Sequence, residues 1–317
     1  MICGMAVAVC CLTGCGRLSY DMAYHVDYDV SSFNVVTRQE TRTAQPFAAN
    51  LCVAAGNVPS DTVDMSHAEA AGLFGLDERE VLYAQNIHER LHPASLTKVM
   101  TALVALKYGQ LNQTLTASDV VNITESGAVL CGLAPGDTMT LDQALRILLV
   151  FSANDVAMLI AENVGGSVER FVEMMNEEAA RLGATNTHFT NPHGLTESEH
   201  YTTVYDLYLI FNEAVRNDTF NEIIHMSSYQ TVFYDRNGKE KAFDRQNSNQ
   251  YMRGERQAPA NVTVIGGKTG TTNAAGYCLM LFSRDENGRP YISIVLRAEG
   301  VEELYGEMTD LLDEIHK

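Results

Sequence analysis

The sequence predicts an α+β fold in which strands from both ends of the chain form one antiparallel sheet, with a mostly helical lobe inserted between them. Three observations predict it. Residues 68–85 read as two short strands around a turn, and beyond 227 the character shifts to an alternation of Tyr, Val and Thr, the mark of further strands. From about 95 to 215 apolar residues recur three and four apart, the spacing of helices that bury one face. No repeat unit recurs along the chain, so these segments belong to one sheet-and-helix unit rather than to a solenoid.

The 317 residues carry 22 Lys+Arg against 40 Asp+Glu, a net charge of −18, and 46% of them are hydrophobic. That is enough apolar material for a sizeable core. A strongly acidic surface repels phosphate backbones and anionic lipid headgroups, which disfavours nucleic-acid binding and electrostatic membrane adsorption. Four of the seven cysteines, Cys3, Cys10, Cys11 and Cys15, lie in the first fifteen residues, and Cys52, Cys131 and Cys278 are far apart. With no C-x-x-C pair and no HExxH, the expectation is no metal site and three isolated thiols.

Taken in chain order, residues 1–15 are apolar or small and uncharged, too short to span a bilayer but suited to a signal peptide core. Residues 16–45 are polar and aperiodic, and read as a tether. The folded part is expected over 46–317. Strands are predicted at 68–74 and 80–85 around the turn 75–79, then a helix at 95–108 with the stripe Leu96, Val99, Met100, Leu103 and Val104. Further helices are predicted at 141–151, 154–164, 168–182 and 203–215. Strands follow at 229–234, 262–267, 276–282 and 291–297, and a helix at 301–315 closes the chain.

Three short motifs carry chemistry. Ser95-Leu96-Thr97-Lys98 puts a hydroxyl and an amine three residues apart on one helix face, at the positive end of the helix dipole. A lysine there can accept a proton only if burial or a second cation lowers its pKa. Ser152-Ala153-Asn154 falls between two helices and supplies a second hydroxyl and an amide. Lys268-Thr269-Gly270 falls at the end of the apolar strand 262–267. S-x-x-K alone would be an ordinary helix start, but the three motifs in this order are not.

This set resembles that of the serine penicillin-binding proteins and β-lactamases, and most closely the low-molecular-mass D-alanyl-D-alanine carboxypeptidases. The passages that carry the resemblance are Pro93 to Ala102, Phe151-Ser152-Ala153-Asn154-Asp155, Asn186-Thr187-His188-Phe189 with Pro192-His193-Gly194-Leu195, and Gly267-Lys268-Thr269-Gly270 with Ala275-Gly276-Tyr277. They extend it over 68–317 and imply a β-lactamase/transpeptidase-like fold.

The resemblance implies roles. Ser95 attacks the carbonyl between two terminal D-alanines of a peptidoglycan stem peptide, with Lys98 as base. Ser152 relays a proton to the leaving amine, and Asn154 holds the substrate backbone and Lys98. Lys268 keeps the pocket positive and, with Thr269, receives the terminal carboxylate. The N–H groups of Ser95 and Thr271 form the oxyanion hole beside Gly270. His193 either positions the deacylating water or is hydrogen-bonded to hold its loop. Cys131 and Cys278 are expected to be inert thiols near the pocket. No cofactor is implied, and β-lactams are the implied covalent inhibitors.

Competing readings are a D,D-endopeptidase, a β-lactamase, a zinc D,D-peptidase and an inactive wall-binding relative. The chain lacks the E-x-x-L-N glutamate of class A β-lactamases, so penicillin is expected to acylate Ser95 and remain. Leu12-Thr13-Gly14-Cys15 resembles the lipobox of bacterial lipoproteins, which implies a lipid on Cys15. A conventional signal peptide is the alternative, and both place the protein outside the cytoplasm. The segment 301–317 bears Glu302, Glu303, Glu307, Asp310, Asp313 and Glu314 against Lys317, so it is not expected to dock on an anionic membrane.

Overall fold

In the computed structural model the described residues are 48–316; the predicted leader, tether and Cys15 lie outside them. The elements in chain order are β1 (Ala68–Gly75) and β2 (Glu80–Gln85), then a 3-10 turn at Ala94–Leu96 that runs into α1 (Thr97–Tyr108). Next come β3 (Thr114–Thr116), β4 (Thr138–Thr140), α2 (Leu141–Arg146) with a π-helical turn at Ile147–Phe151, α3 (Asn154–Gly165) and α4 (Val168–Leu182). The chain continues through α5 (Val204–Ala214), α6 (Asp218–Ile224), β5 (Ser228–Tyr234), β6 (Glu240–Gln246) and α7 (Gln250–Arg253). It ends with β7 (Thr263–Thr272), β8 (Gly276–Arg284), β9 (Pro290–Ala298) and α8 (Val301–Asp313).

The main sheet has strand order β2-β1-β9-β8-β7 and is antiparallel throughout. As predicted, both ends of the chain build it. Its two faces bury different partners because successive side chains on a strand point opposite ways. Ala70, Phe74, Met280, Phe282, Ile292 and Ile294 face the helical lobe. Ala71, Leu73, Leu279, Leu281 and Val295 face α8, which presents Leu304, Met308, Leu311 and Leu312. Phe74 stacks on Tyr208 of α5 with ring centroids 4.2 Å apart, tying sheet to lobe.

One sheet was expected and two are present among the described residues. The strand predicted at 229–234 leaves the main sheet: β5 pairs with β6 as a hairpin, and β4 and β3 complete a four-stranded sheet at the side of the lobe. Its strands are short or largely exposed, with Phe233 and Phe243 the buried anchors of the hairpin.

Helix ends follow capping chemistry. Ser167 caps α4 by accepting the N–H of Arg170, and Thr203 caps α5 by accepting that of Asp206. Thr140 and Gln143 form a capping box on α2. Two glycines permit close approach at the site. Gly194 has φ of 87°, and a Cβ there would lie 1.8 Å from the Ala94 carbonyl oxygen. A Cβ on Gly270 would lie 3.0 Å from the Ser95 nitrogen, so a side chain at this position would push strand and nucleophile turn apart.

Candidate active site

The first motif is placed by a strained turn. Ala94 adopts φ of 47°, and Ser95 sits in the 3-10 turn rather than in the α-helix that was expected to contain it. A buried relay fixes that turn. The Thr190 N–H donates to His200 Nδ1 at 3.1 Å, which leaves the ring proton on Nε2 to donate to Thr97 Oγ1 at 2.8 Å. Thr97 Oγ1 in turn donates to the Ala94 carbonyl at 2.8 Å. His200 is buried and its pKa is pushed down to about 3, chiefly by desolvation.

Lys98, three residues after Ser95 and in the first turn of α1, is fully buried. Its Nζ lies 2.7 Å from Ser95 Oγ, 2.6 Å from Asn154 Oδ1 and 2.7 Å from the His193 carbonyl oxygen. Burial drives its pKa well below the usual ammonium range, Lys268 lowers it further, and Asp155 works against both. The three neighbours decide what a neutral amine does here. Asn154 Oδ1 and the His193 carbonyl can only accept, so they take the two remaining N–H bonds. The nitrogen lone pair is then left for the hydroxyl of Ser95.

Ser152 follows the π-helical turn in a left-handed conformation, φ 73°, which aims its hydroxyl across the cleft. Lys268 Nζ donates to Ser152 Oγ at 2.9 Å and to the Thr269 carbonyl at 2.9 Å. Lys268 is also fully buried, and desolvation lowers its pKa to about 7. The Lys268-Thr269-Gly270 motif lies inside β7, not at a strand end as expected: β7 is the edge strand and continues through Thr271 to Thr272.

Asn154 opens α3, and its N–H donates to the Val129 carbonyl at 2.8 Å. Asp155 beside it accepts from the N–H groups of Cys131, Gly132 and Leu133 at 2.8–3.0 Å. These bonds pin the loop that carries Val129 to the mouth of the cleft. The cleft has a volume of about 290 Å³ and is lined on one side by Ser95 and Ser152, on the other by Thr269, Gly270 and Thr271.

His193 meets the site through its backbone carbonyl. Its ring Nδ1 accepts the Leu195 N–H at 3.1 Å, and burial pushes its pKa down to about 3. Cys278 lines the cleft but is buried, and both it and Cys131 have pKa values pushed up to about 12, mainly by desolvation. All nine residues proposed for the site within the described region, Ser95, Lys98, Ser152, Asn154, His193 and Lys268 to Thr271, converge here. Sequence reasoning missed Thr97, His200 and the anchoring role of Asp155, and it missed Ser248. Ser248 lines the cleft with its Oγ 2.6 Å from Thr269 Oγ1. It lies in a turn-rich stretch, Asn247-Ser248-Asn249, where a serine carries no signal beyond turn formation.

A family model described as D-alanyl-D-alanine carboxypeptidase matches residues 57–300. The chain is 35% identical over 260 residues to the D-alanyl-D-alanine carboxypeptidase DacF of Bacillus subtilis, covering 80% of this chain and 63% of that protein. It is 31% identical over 279 residues to DacC of Escherichia coli, covering 84% and 64%. It thus spans a little under two thirds of the length of either relative. Among solved structures, a Streptomyces DD-transpeptidase superposes with a TM-score of 0.72 at 25% identity, covering 81% of this chain and 98% of that one. A penicillin-binding protein homologue from Mycobacterium tuberculosis gives a TM-score of 0.70 at 31% identity, covering 83% and 95%. Together with the three motifs meeting at one cleft, these likenesses mean that the chain belongs to the D-alanyl-D-alanine carboxypeptidase family.

Proposed function

We propose that the protein is a serine D-alanyl-D-alanine carboxypeptidase that removes the terminal D-alanine from peptidoglycan stem peptides through an acyl-enzyme, and that β-lactams acylate it. The observation that carries this reading is the buried Lys98 amine, hydrogen-bonded to two obligate acceptors and facing Ser95 Oγ. Neutral Lys98 takes the proton of Ser95 as Oγ bonds to the carbonyl carbon of the penultimate residue. The oxyanion that forms is received by the N–H groups of Ser95 and Thr271, a contact worth about 3 kcal/mol in comparable sites. Ser152, bridged to Lys268, relays to the amine nitrogen the proton that Lys98 took from Ser95, as the C–N bond breaks and D-alanine leaves, so Lys98 is neutral again and Ser152 keeps its hydroxyl. Water then hydrolyses the ester and restores Ser95.

Lys268 and Thr269 attract the terminal carboxylate, and Lys268 also favours the neutral form of Lys98. Asn154 serves Lys98 directly. His193 acts through its carbonyl and holds its loop, since Nδ1 is occupied by Leu195. The catalytic domain spans 46–317, preceded by a leader at 1–15 and a tether at 16–45. The site of action is extracytoplasmic, on the wall side of the membrane, with attachment through a lipid on Cys15. What supports that anchor is the Leu12-Thr13-Gly14-Cys15 sequence.

The test is release of D-alanine from diacetyl-Lys-D-Ala-D-Ala and labelling by a fluorescent penicillin, both lost in Ser95→Ala. Absence of labelling in the wild type overturns the enzymatic reading, and D-alanine release blocked by EDTA would assign the chemistry to a metal. Rapid, repeated turnover of benzylpenicillin would make it a β-lactamase. For the anchor, membrane-fraction recovery of Cys15→Ser equal to wild type would refute the lipid.

A further inference from the structure

The carboxylate end of the cleft contains a hydroxyl pair that the three motifs do not include. Ser248 Oγ and Thr269 Oγ1 are 2.6 Å apart, and both residues line the same cleft as Ser95. Two hydroxyls carry two hydrogens, and the bond between them uses one. Whichever donates internally, the other keeps an O–H to offer to an acceptor in the cleft. A carboxylate is the acceptor for which such a bond is strongest, because the charge on one partner shortens and strengthens it.

The electrostatics of the lining point the same way. No arginine or lysine side chain is among the described residues that line this cleft. Lys268 is buried beneath the wall with its Nζ bonded to Ser152 Oγ and the Thr269 carbonyl. An anion entering the cleft therefore meets hydroxyls at the surface and positive charge behind them.

Ser248 is also held in place by its own loop. Its N–H donates to the Val150 carbonyl at 3.0 Å, and its carbonyl accepts from Arg253 Nη1 at 3.2 Å. Asn247 Oδ1 accepts the Asn249 N–H at 2.8 Å, Asn247 Nδ2 donates to the Met226 carbonyl at 2.8 Å, and the Gln250 N–H donates to Tyr305 Oη at 2.9 Å. These bonds connect the loop to the lobe and to α8, so the hydroxyl is presented without an ordering cost on binding.

We propose that Ser248 is a carboxylate-binding residue that acts with Thr269 as a paired hydroxyl receptor for the free C-terminus of the substrate. The proposal rests on the carboxypeptidase reading above and adds a residue that sets its preference for a terminal carboxylate. The experiment compares two esters that share the acyl part: diacetyl-Lys-D-Ala-D-lactate, whose leaving group bears a carboxylate, and diacetyl-Lys-D-Ala methyl ester, whose leaving group does not. Loss of one charge-assisted hydrogen bond should lower kcat/KM of Ser248→Ala about tenfold on the D-lactate ester, mostly through KM. The methyl ester should change by less than about twofold, which also reports that the variant is folded, and Ser248→Thr should recover most of the loss. Equal loss on both esters, or no loss on either, overturns the proposal. Wild-type protein that hydrolyses neither ester overturns the carboxypeptidase reading itself, and the carboxylate receptor with it.

Discussion

Asn154 Oδ1 lies 2.6 Å from Lys98 Nζ, in a position that only an acceptor can fill. Because the amide is neutral, it fixes the amine while favouring its charge less than a carboxylate would. Asn154→Asp would keep the acceptor and add a negative charge, which stabilises the ammonium and raises the Lys98 pKa. Since the base works in its neutral form, the acylation rate climbs as pH rises through that pKa. The expected result is a shift of this limb to higher pH and a rate at pH 7 lower by about 10²-fold, the scale of general-base catalysis. Stopped-flow acylation by a fluorescent penicillin across pH 5–10 measures it, and an unshifted limb would refute the assignment of Lys98.

Gly194 and Ala94 touch so closely that only glycine fits. A Cβ at 194 would lie 1.8 Å from the Ala94 carbonyl oxygen and would force an L-residue to hold φ of 87°. Overpacking and left-handed strain together should cost Gly194→Ala about 3 kcal/mol. Because Ala94 precedes Ser95, acylation should slow as well. Thermal melts and penicillin labelling are the measurements, and a variant that melts and labels like wild type would mean that the loop can move aside without disturbing the nucleophile.

How much of this was legible beforehand differs by element. Ser95, Lys98, Ser152, Asn154 and Lys268 announced themselves because their chemistry recurs at fixed local spacing. The main sheet and α1 to α5 were legible because their burial is one-sided or complete over long runs. β6 was missed because it is polar apart from Ala242 and Phe243, with only Phe243 buried in an exposed hairpin strand. β7 was cut short at Gly267 because the apolar run ends there and the polar Lys268 and Thr269 follow. In the structure a side chain at Gly267 would meet the Met280 carbonyl oxygen at 2.1 Å, so the glycine is required by strand pairing rather than by a turn. His200 and Ser248 were invisible because each acts on a partner brought near only by the tertiary fold: His200 on Thr97, 103 positions away, and Ser248 on Thr269, 21 away.

Asp155 separates a structural effect from an electrostatic one. Its carboxylate accepts three N–H groups of the Cys131–Leu133 segment, and it raises the Lys98 pKa. Asp155→Asn turns an amide donor toward those N–H groups, which should destabilise the protein by about 1–3 kcal/mol and speed amide exchange at Cys131, Gly132 and Leu133. Removing the negative charge should at the same time move the acylation limb to lower pH. A limb that moves upward, or exchange that does not change, would contradict the arrangement.

His193 and His200 make the fold acid-sensitive in a definite window. Both are held neutral with pKa values of about 3, each by desolvation first. In the unfolded chain an imidazole titrates near 6.5. Between pH 6.5 and pH 3 the unfolded state therefore binds two protons that the folded state excludes. Stability is complete above the unfolded pKa and declines as pH falls, by up to about 1.4 kcal/mol per pH unit for each ring. From neutral pH to pH 5 the pair should remove about 4 kcal/mol, a large share of a typical domain's 5–15 kcal/mol. Buried Lys98 and Lys268 have lowered pKa values as well and add their own proton uptake on unfolding, so the histidine share is the part that a histidine variant removes. Calorimetric unfolding in buffers of different ionisation enthalpy should show a net uptake near pH 5 to which each ring contributes close to one proton. His200→Gln keeps a donor and an acceptor but cannot titrate, so it should reduce that uptake by about one. A melting temperature that stays flat from pH 7 to pH 5, or an uptake unchanged in the variant, would show that these rings accept protons in the folded state.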